Sequence, residues 1–420
     1  MAQKLKFGNG TWATKEGSTL AYNDENNNYK PLPFTTTRDS IATRVNKQGL
    51  IEVVGNNVPR IDYTDSAKGA LLLEPSRTNK LSTSNDFNGS GWTISNLTVT
   101  ANQVISPDGT LNASKLEMTG NGSLRNQSEA SFNDGYAYSI FVKKGNSRYV
   151  TIRSAFFTQS FNCGFDLDTL TSEANGKIED YGNDWYRLSI TKDISGDVDR
   201  SGFFYLYLTN SLGSQISVNG NYIYAYGGQL EEGSYPTSYI PTSGSTATRQ
   251  ADTASGSGNS EVFNDSEGVL FANIAAFVGA GGGTRRIEVS NSVNASQYVR
   301  LQIANGDGSL YGTVDNGSRQ FIFNATSFDA TLSNRISLKY KQNDFSLFLN
   351  GFEVGSSNVG STFANGVLTQ VNFSSTASEF YGKTKEVAYY DTALTDAELE
   401  VLTSYETLTE LVTELNLNEL

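Results

Sequence analysis

Apolar residues recur at every second position, or in short unbroken runs, through most of this chain. Such runs at 138–142, 149–152, 185–190, 203–208 and 222–230 predict strands, with Gly- and Asn-containing turns between them. In the last run Tyr222, Tyr224 and Tyr226 fall on one face and Ile223 and Ala225 on the other, an alternation that fits a strand and not a helix. A second series follows at 268–277, 286–289, 298–303, 309–314, 320–323, 334–341, 344–349 and 383–390. Gln342-Asn343-Asp344 and Asn350-Gly351 supply hairpin turns there. Thr395 with Glu398 three residues on is a capping box and predicts the start of a helix.

Before these series the pattern is poorer. Residues 1–80 are broken by Gly8-Asn9-Gly10, by Asn26-Asn27-Asn28 and by the prolines of 30–33, with short apolar runs only at 50–54 and 70–73. So little core predicts a segment that lies against another subunit or the next domain. The stretch 242–260 is small and polar and reads as a linker, placed at 246–260. The tail sets Leu408, Leu411, Val412 and Leu415 at helical spacing, with Glu406, Glu410 and Glu414 on another face. It is read either as a helix packed on the preceding domain or as a small oligomerisation bundle. The expected organisation is therefore an irregular segment (1–80), a β-sandwich (81–245), a linker (246–260), a second sandwich (261–404) and a helical tail (405–420). The fold class is all-β, with two tandem β-sandwiches and a short C-terminal helix.

Composition sharpens this picture. With 420 residues, 40 Gly, 22 Tyr and 23 Phe but only 2 Met and 7 Pro, the chain suits pleated sheets joined by tight turns. A net charge of −13 argues against nucleic acid as a partner. Histidine is absent, which removes Ser-His-Asp and Cys-His nucleophile systems and most zinc sites. The lone Cys163 lies among aromatics and reads as a buried, inert thiol of a protein assembled in a reducing cytoplasm. The start MAQKLKFGNG has no apolar signal core and no apolar run approaches a membrane span, so neither standard export nor membrane insertion is expected.

Candidate chemistry is sparse. Glycanases of the concanavalin A-like folds carry alternate acids, Glu-x-Asp-x-Glu, on one strand; the nearest match is Asp166 with Asp168, short by one acid and more readily a turn-flanking pair. Asp197, Asp199 and Asp307 stand in loops and are the calcium candidates; no other metal or cofactor is expected. The Gly-rich run 279–283 lacks the Lys-Ser/Thr of a phosphate loop. A sugar ring stacks its CH face on an aromatic platform, which makes Trp92 and Trp185 the carbohydrate-binding candidates.

Several longer motifs carry a resemblance. Arg38, Ala42-Thr43, Gly49-Leu50, Pro59-Arg60-Ile61-Asp62-Tyr63, Gly69 and Leu73-Glu74-Pro75-Ser76-Arg77-Thr78-Asn79 form a block similar to one at the start of many phage virion proteins. It precedes a domain opening with Trp92 and Ser106-Pro107-Asp108-Gly109. That domain closes with Gly227-Gly228-Gln229-Leu230-Glu231-Glu232-Gly233 and Tyr235-Pro236-Thr237-Ser238-Tyr239-Ile240-Pro241-Thr242. The close resembles the last strand and exit loop of carbohydrate-binding-module-like jelly rolls in phage fibres. Residues 345–351, 386–391 and 393–399 resemble the ending of concanavalin A-like, laminin-G-like sandwiches. The resemblance implies a non-enzymatic structural protein on the virion surface: a head fibre, a tail fibre or a capsid decoration, assembled in the bacterial cytoplasm. Its implied partners are other virion proteins, further copies in a homotrimer, and host surface glycans held weakly. A glycan depolymerase and a secreted lectin are the alternatives.

Overall fold

The computed structural model describes residues 3–15, 17–23, 28–126, 130–156, 160–194, 201–279, 283–292, 296–373 and 378–404. The chain is nearly all β, with strands over 56% of its residues and 2% in helix. It divides into two compact units, each drawn from more than one stretch: residues 40–54 with 76–250, and residues 1–39 and 55–75 with 251–420.

The first unit is a two-layered sandwich whose layers are joined by a shared strand. In order, the strands are Gly176–Asp180, Trp185–Asp193, Gly135–Lys144, Tyr222–Glu232, Leu111–Asn126, Ser201–Thr209, Tyr149–Phe156, Phe161–Asp166 and Thr171–Ser172. Leu111–Asn126 serves both layers: its Ser114–Glu117 stretch pairs with residues 222–225, and Leu124 and Arg125 pair with Leu206 and Tyr205. Together with its hairpin partner Trp92–Ile105 it was not evident from the hydrophobic pattern, because much of this hairpin is polar and exposed.

The bend between layers has a local cause. Register slips between Ser95 and Leu97, Asn96 adopts φ 42°, and a Cβ on Gly122 would sit 2.0 Å from the Ser95 carbonyl oxygen. Only glycine allows the strands to approach there, as at other corners where strands change sheet. The core between the layers is aromatic. Tyr136 stacks on Phe156 at 5.0 Å and Tyr138 on Phe204 at 5.1 Å, with Leu116, Ile140, Ile152, Leu188, Leu206 and Leu230 filling around them. Cys163 is buried in this core, and burial pushes its thiol up to about 12.

The second unit faces a twelve-stranded sheet with a five-stranded one. The main path of the larger sheet runs Thr253–Ser255, Asn28–Thr37, Ser18–Asn23, Gln3–Gly8, Gly382–Tyr390, Glu267–Ala276, Asn334–Lys341, Asp344–Leu349 and Phe352–Ser357. The smaller runs Arg319–Ala325, Leu310–Asn316, Gln297–Ala304, Thr284–Ser290 and Gln370–Asn372. The early residues thus belong to the sheet itself: Leu5 lies opposite Tyr389 and Phe7 opposite Val387. Phe7 packs on Phe34 at 4.4 Å and Phe34 on Phe373 at 5.0 Å, all buried. Burying each such ring contributes about 1.5–3 kcal/mol.

Residues 247–249 and 253–255, within the stretch read as a linker, are short strands paired with residues 77–79 and 35–37. The expected capping box is present: Glu398 N–H donates to Thr395 Oγ1, and Thr395 N–H to the Glu398 carboxylate, opening the helix Asp396–Thr403. The predicted tail helix at 405–420 lies outside the described residues.

The residues of the motifs at 38–79 and 227–242 are used for closure. In the second unit Arg60 bridges Glu74, at 2.7 Å, and Asp252; Arg38 meets the other oxygen of Asp252 at 2.9 Å and the Gly55 and Val58 carbonyls. All four side chains are buried. Burial alone would depress the Arg60 guanidinium, but the adjacent Asp252 and Glu74 carboxylates hold it above its ordinary value.

In the first unit Asn79 donates to the Gly228 and Ile240 carbonyls and accepts from the Leu81 and Leu230 N–H groups. Glu231, fully buried, accepts from Gln229 and from the Thr237 N–H and hydroxyl, while Arg249 donates to Thr237 Oγ1. These bonds fasten the exit loop 235–242 onto the final strand. Gly227, at φ 61°, forms part of a bulge in that strand, where a Cβ would meet the Phe141 ring at 2.8 Å.

Candidate functional site

Trp92 and Trp185 are both inside the first unit. Trp92 packs on Phe87 at 5.2 Å and donates its indole N–H to the Thr83 carbonyl at 2.9 Å. Trp185 is 1% exposed and donates to the Ile105 carbonyl at 3.0 Å. Neither ring presents a face to solvent, so neither forms the stacking platform expected of it.

A row of outward-facing aromatics lies instead on the strand Ser201–Thr209. Its alternation sends Phe204, Leu206 and Leu208 into the core, each at most 1% exposed, and turns Phe203, Tyr205 and Tyr207 to the opposite face. Tyr205 and Tyr207 lie nearly parallel, 15° apart with centroids 6.0 Å apart. Phe203 and Tyr205 are half-buried, so their rings retain accessible surface; Tyr207 is 8% exposed. Burial raises the Tyr207 hydroxyl above its ordinary range, with Arg153 beside it pulling the other way.

Register builds the rest of the surface. Tyr205 lies opposite Arg125 on one side and Arg153 on the other; beyond them stand Thr93 and Asn162. The row Thr93, Arg125, Tyr205, Arg153, Asn162 crosses five strands and extends about 19 Å at ordinary strand spacing. The Arg125 guanidinium lies 4.3 Å from the Phe203 centroid and 5.8 Å from that of Tyr205; Arg153 lies 5.7 Å from Tyr205 on its other flank. Arg125 donates to Thr93 Oγ1 at 3.2 Å and Arg153 to Gln215 Oε1 at 2.8 Å. Among the described residues neither arginine has a carboxylate partner. Beside this row the loop of Leu212 and Ile216 leaves both side chains exposed, at 42% and 66%.

A smaller aromatic group sits on the other layer. Tyr222 and Tyr224 meet edge to face at 5.8 Å, and Lys115 lies 4.2 Å from the Tyr222 centroid. Lys115 is already paired with Glu117 at 2.8 Å, so the group carries no unanswered charge.

The remaining candidates are dispersed. Asp166 receives Arg148 through two nitrogens, at 2.7–3.1 Å, and these bonds hold its carboxyl well below the usual range; Asp168 pairs with Lys144. Asp307 accepts the Ser309 N–H at 3.0 Å in a tight turn, and this bond lowers its pKa. Asp197 and Asp199 lie outside the described residues, and so does part of the Gly-rich run. Among the described residues no three Asp, Glu, Cys or His side chains converge to hold a metal ion.

The arginine–tyrosine row was missed in the sequence because aromatics occupy both faces of 203–208. That run reads as wholly buried unless the alternation is followed through it.

No protein-family model matches the sequence, and no curated protein matches it. Solved structures with partial likeness include the CBM40 module of the Ruminococcus gnavus IT-sialidase, at 18% identity and TM-score 0.29 over 34% of this chain and 84% of that one. Domain 4 of AbnA, an extracellular arabinanase from Geobacillus stearothermophilus solved with arabinotriose, gives 14% identity and TM-score 0.29 over 41% of this chain and 83% of that one. Domains LG4-5 of the mouse laminin alpha1 chain give 10% identity and TM-score 0.24 over 81% and 93%. Similarity at this level has no bearing on what the chain binds; its β-sandwich architecture stands on its own strands.

Proposed function

We propose that this chain is a non-enzymatic adhesion and structural subunit that holds glycan on the Tyr205 face of its first sandwich. The observation that carries this reading is the outward row of Phe203, Tyr205 and Tyr207 with hydrogen-bonding side chains on both sides. The accessible parts of the half-buried Phe203 and Tyr205 rings offer an apolar surface for a sugar's CH face, and Arg, Asn and Thr offer donors and acceptors for its hydroxyls. A shallow face of this kind binds weakly at one site and gains by repetition across copies. Placement on a phage particle, as a head fibre, tail fibre or capsid decoration and as a homotrimer, is part of the same proposal and rests on the motifs at 38–79 and 227–242.

The test is a saccharide array probed with the full chain and with Tyr205→Ala. Binding by the full chain that falls about tenfold or more in the variant, with an unchanged melting temperature, is expected. Equal binding by the two proteins would show that Tyr205 is not part of the platform.

A further inference from the structure

We infer, resting on the glycan-binding reading of the Tyr205 face, that this face selects acidic saccharides and that Arg125 and Arg153 are the residues that select them. The chain carries 44 acidic and 31 basic side chains, so an unpaired cation runs against its composition. Several arginines of the described residues answer carboxylates: Arg38 and Arg60 meet Asp252, Arg44 meets Glu52, Arg148 meets Asp166, and Arg300 meets Glu288. Arg125 and Arg153, like Arg285 and Arg286, do not. Arg125 bonds the neutral oxygen of Thr93 and Arg153 that of Gln215, although a guanidinium presents five N–H donors.

Their positions matter as much as their lack of carboxylates. Both guanidinium groups lie within 6 Å of one ring, that of Tyr205, on neighbouring strands at either side. Both cationic groups flank the same ring with N–H donors left unused. An anion lying over Tyr205 gains charge-assisted contacts from both sides. A carboxylate or sulfate has the planar or tripodal oxygens that a guanidinium engages through two parallel bonds. The ring beneath takes the apolar face of the same sugar. The Tyr222 and Tyr224 group shows the contrast, since its lysine is neutralised by Glu117. A nucleic acid would also supply anions and stacking bases, but its many phosphates would meet a chain of net charge −13.

The experiment measures binding of the full chain, wild type and Arg125→Gln/Arg153→Gln, by calorimetry. The probes are polygalacturonate, hyaluronate and polysialic acid (carboxylated), dextran sulfate (sulfated), dextran (neutral) and oligothymidylate. We expect the wild type to bind at least one acidic polysaccharide, and the double variant to bind it about tenfold or more weakly with the same melting temperature. The carboxylate and sulfate arms tell which anion is preferred. Arg125→Lys/Arg153→Lys keeps the charge but loses the paired bonds, and is expected to recover only part of the affinity. Dextran bound as tightly as the acidic polymers, with no loss in the glutamine variant, would overturn the acidic selection while leaving glycan binding in place. No saccharide bound at all would overturn both, and binding confined to oligothymidylate would replace them.

Discussion

Arg60 and Asp252 stand 192 residues apart in sequence and meet in a buried ion pair, with Arg38 on the second oxygen of the same carboxylate. One aspartate thereby ties three separate stretches of the second unit together. Asp252→Ala leaves two buried guanidinium groups short of a partner, and breaking a buried pair in this way costs about 3–5 kcal/mol. The expected result is a marked fall in the denaturant midpoint of the full chain. An unchanged midpoint would show that water or Glu74 satisfies both arginines unaided.

Asn79 does for the first unit what Asp252 does for the second. Its amide closes four hydrogen bonds to the backbone of residues 81, 228, 230 and 240. Asn79→Ala strands those groups in a buried place, at about 1–3 kcal/mol for each one left unpaired. The measurement is thermal melting together with proteolysis, and the exit loop 235–242 is expected to be cut first.

The corner at Gly122 gives a sharper contrast. Gly122→Ala forces a methyl group into the Ser95 carbonyl, 2.0 Å away, and is expected to destabilise the first unit by about 1–3 kcal/mol or more. Gly182, at φ 75° with open space where a methyl group would stand, is the control. Gly182→Ala should cost only about 1 kcal/mol, the strain of a left-handed alanine.

These closures also explain how much of the molecule is readable from its sequence. Runs such as 138–142 and 334–341 announce strands because their neighbours bury both faces. The hairpin of residues 92–126 does not, since its exposed face is largely Thr, Asn and Ser and the line of Trp92, Leu97, Ala113, Leu116, Met118 and Leu124 that enters the core is thin. Leu5 and Phe7 alternate properly with Lys4 and Lys6, but the strand they pair with begins at Gly382, and no local signal reports a partner so distant. The same limit governs the site. Trp92 and Trp185 have the right chemistry for stacking on sugar, yet each finds a carbonyl for its indole N–H inside the protein, and that depends on contacts 9 and 80 residues away. Tyr205 becomes a platform only once Arg125 and Arg153 are brought to either side of it by strand register.

Stability should fall in base. Burial pushes the Cys163 thiol from its ordinary 9.0 up to about 12, and burial likewise raises the Tyr136, Tyr138 and Tyr389 hydroxyls above their ordinary 10.0. Below pH 9 these groups are protonated in both folded and unfolded chains, so they add no pH dependence. Above it the unfolded chain releases protons that the folded chain retains, and unfolding gains. The contribution of Cys163 is therefore intact below about pH 9 and is lost progressively toward about pH 12. A denaturant midpoint lower at about pH 10.5 than at pH 7 is expected, with a smaller drop in Cys163→Ala. The native thiol should also resist alkylation at pH 8 and react once the chain is unfolded.

The most direct measurement of glycan binding at the Tyr205 face is a crystal structure of the full chain with the saccharide it binds most tightly. The predicted result is a sugar ring over Tyr205, with its polar groups reaching Arg125 and Arg153. A sugar bound elsewhere, with the Tyr205 face empty, would contradict it.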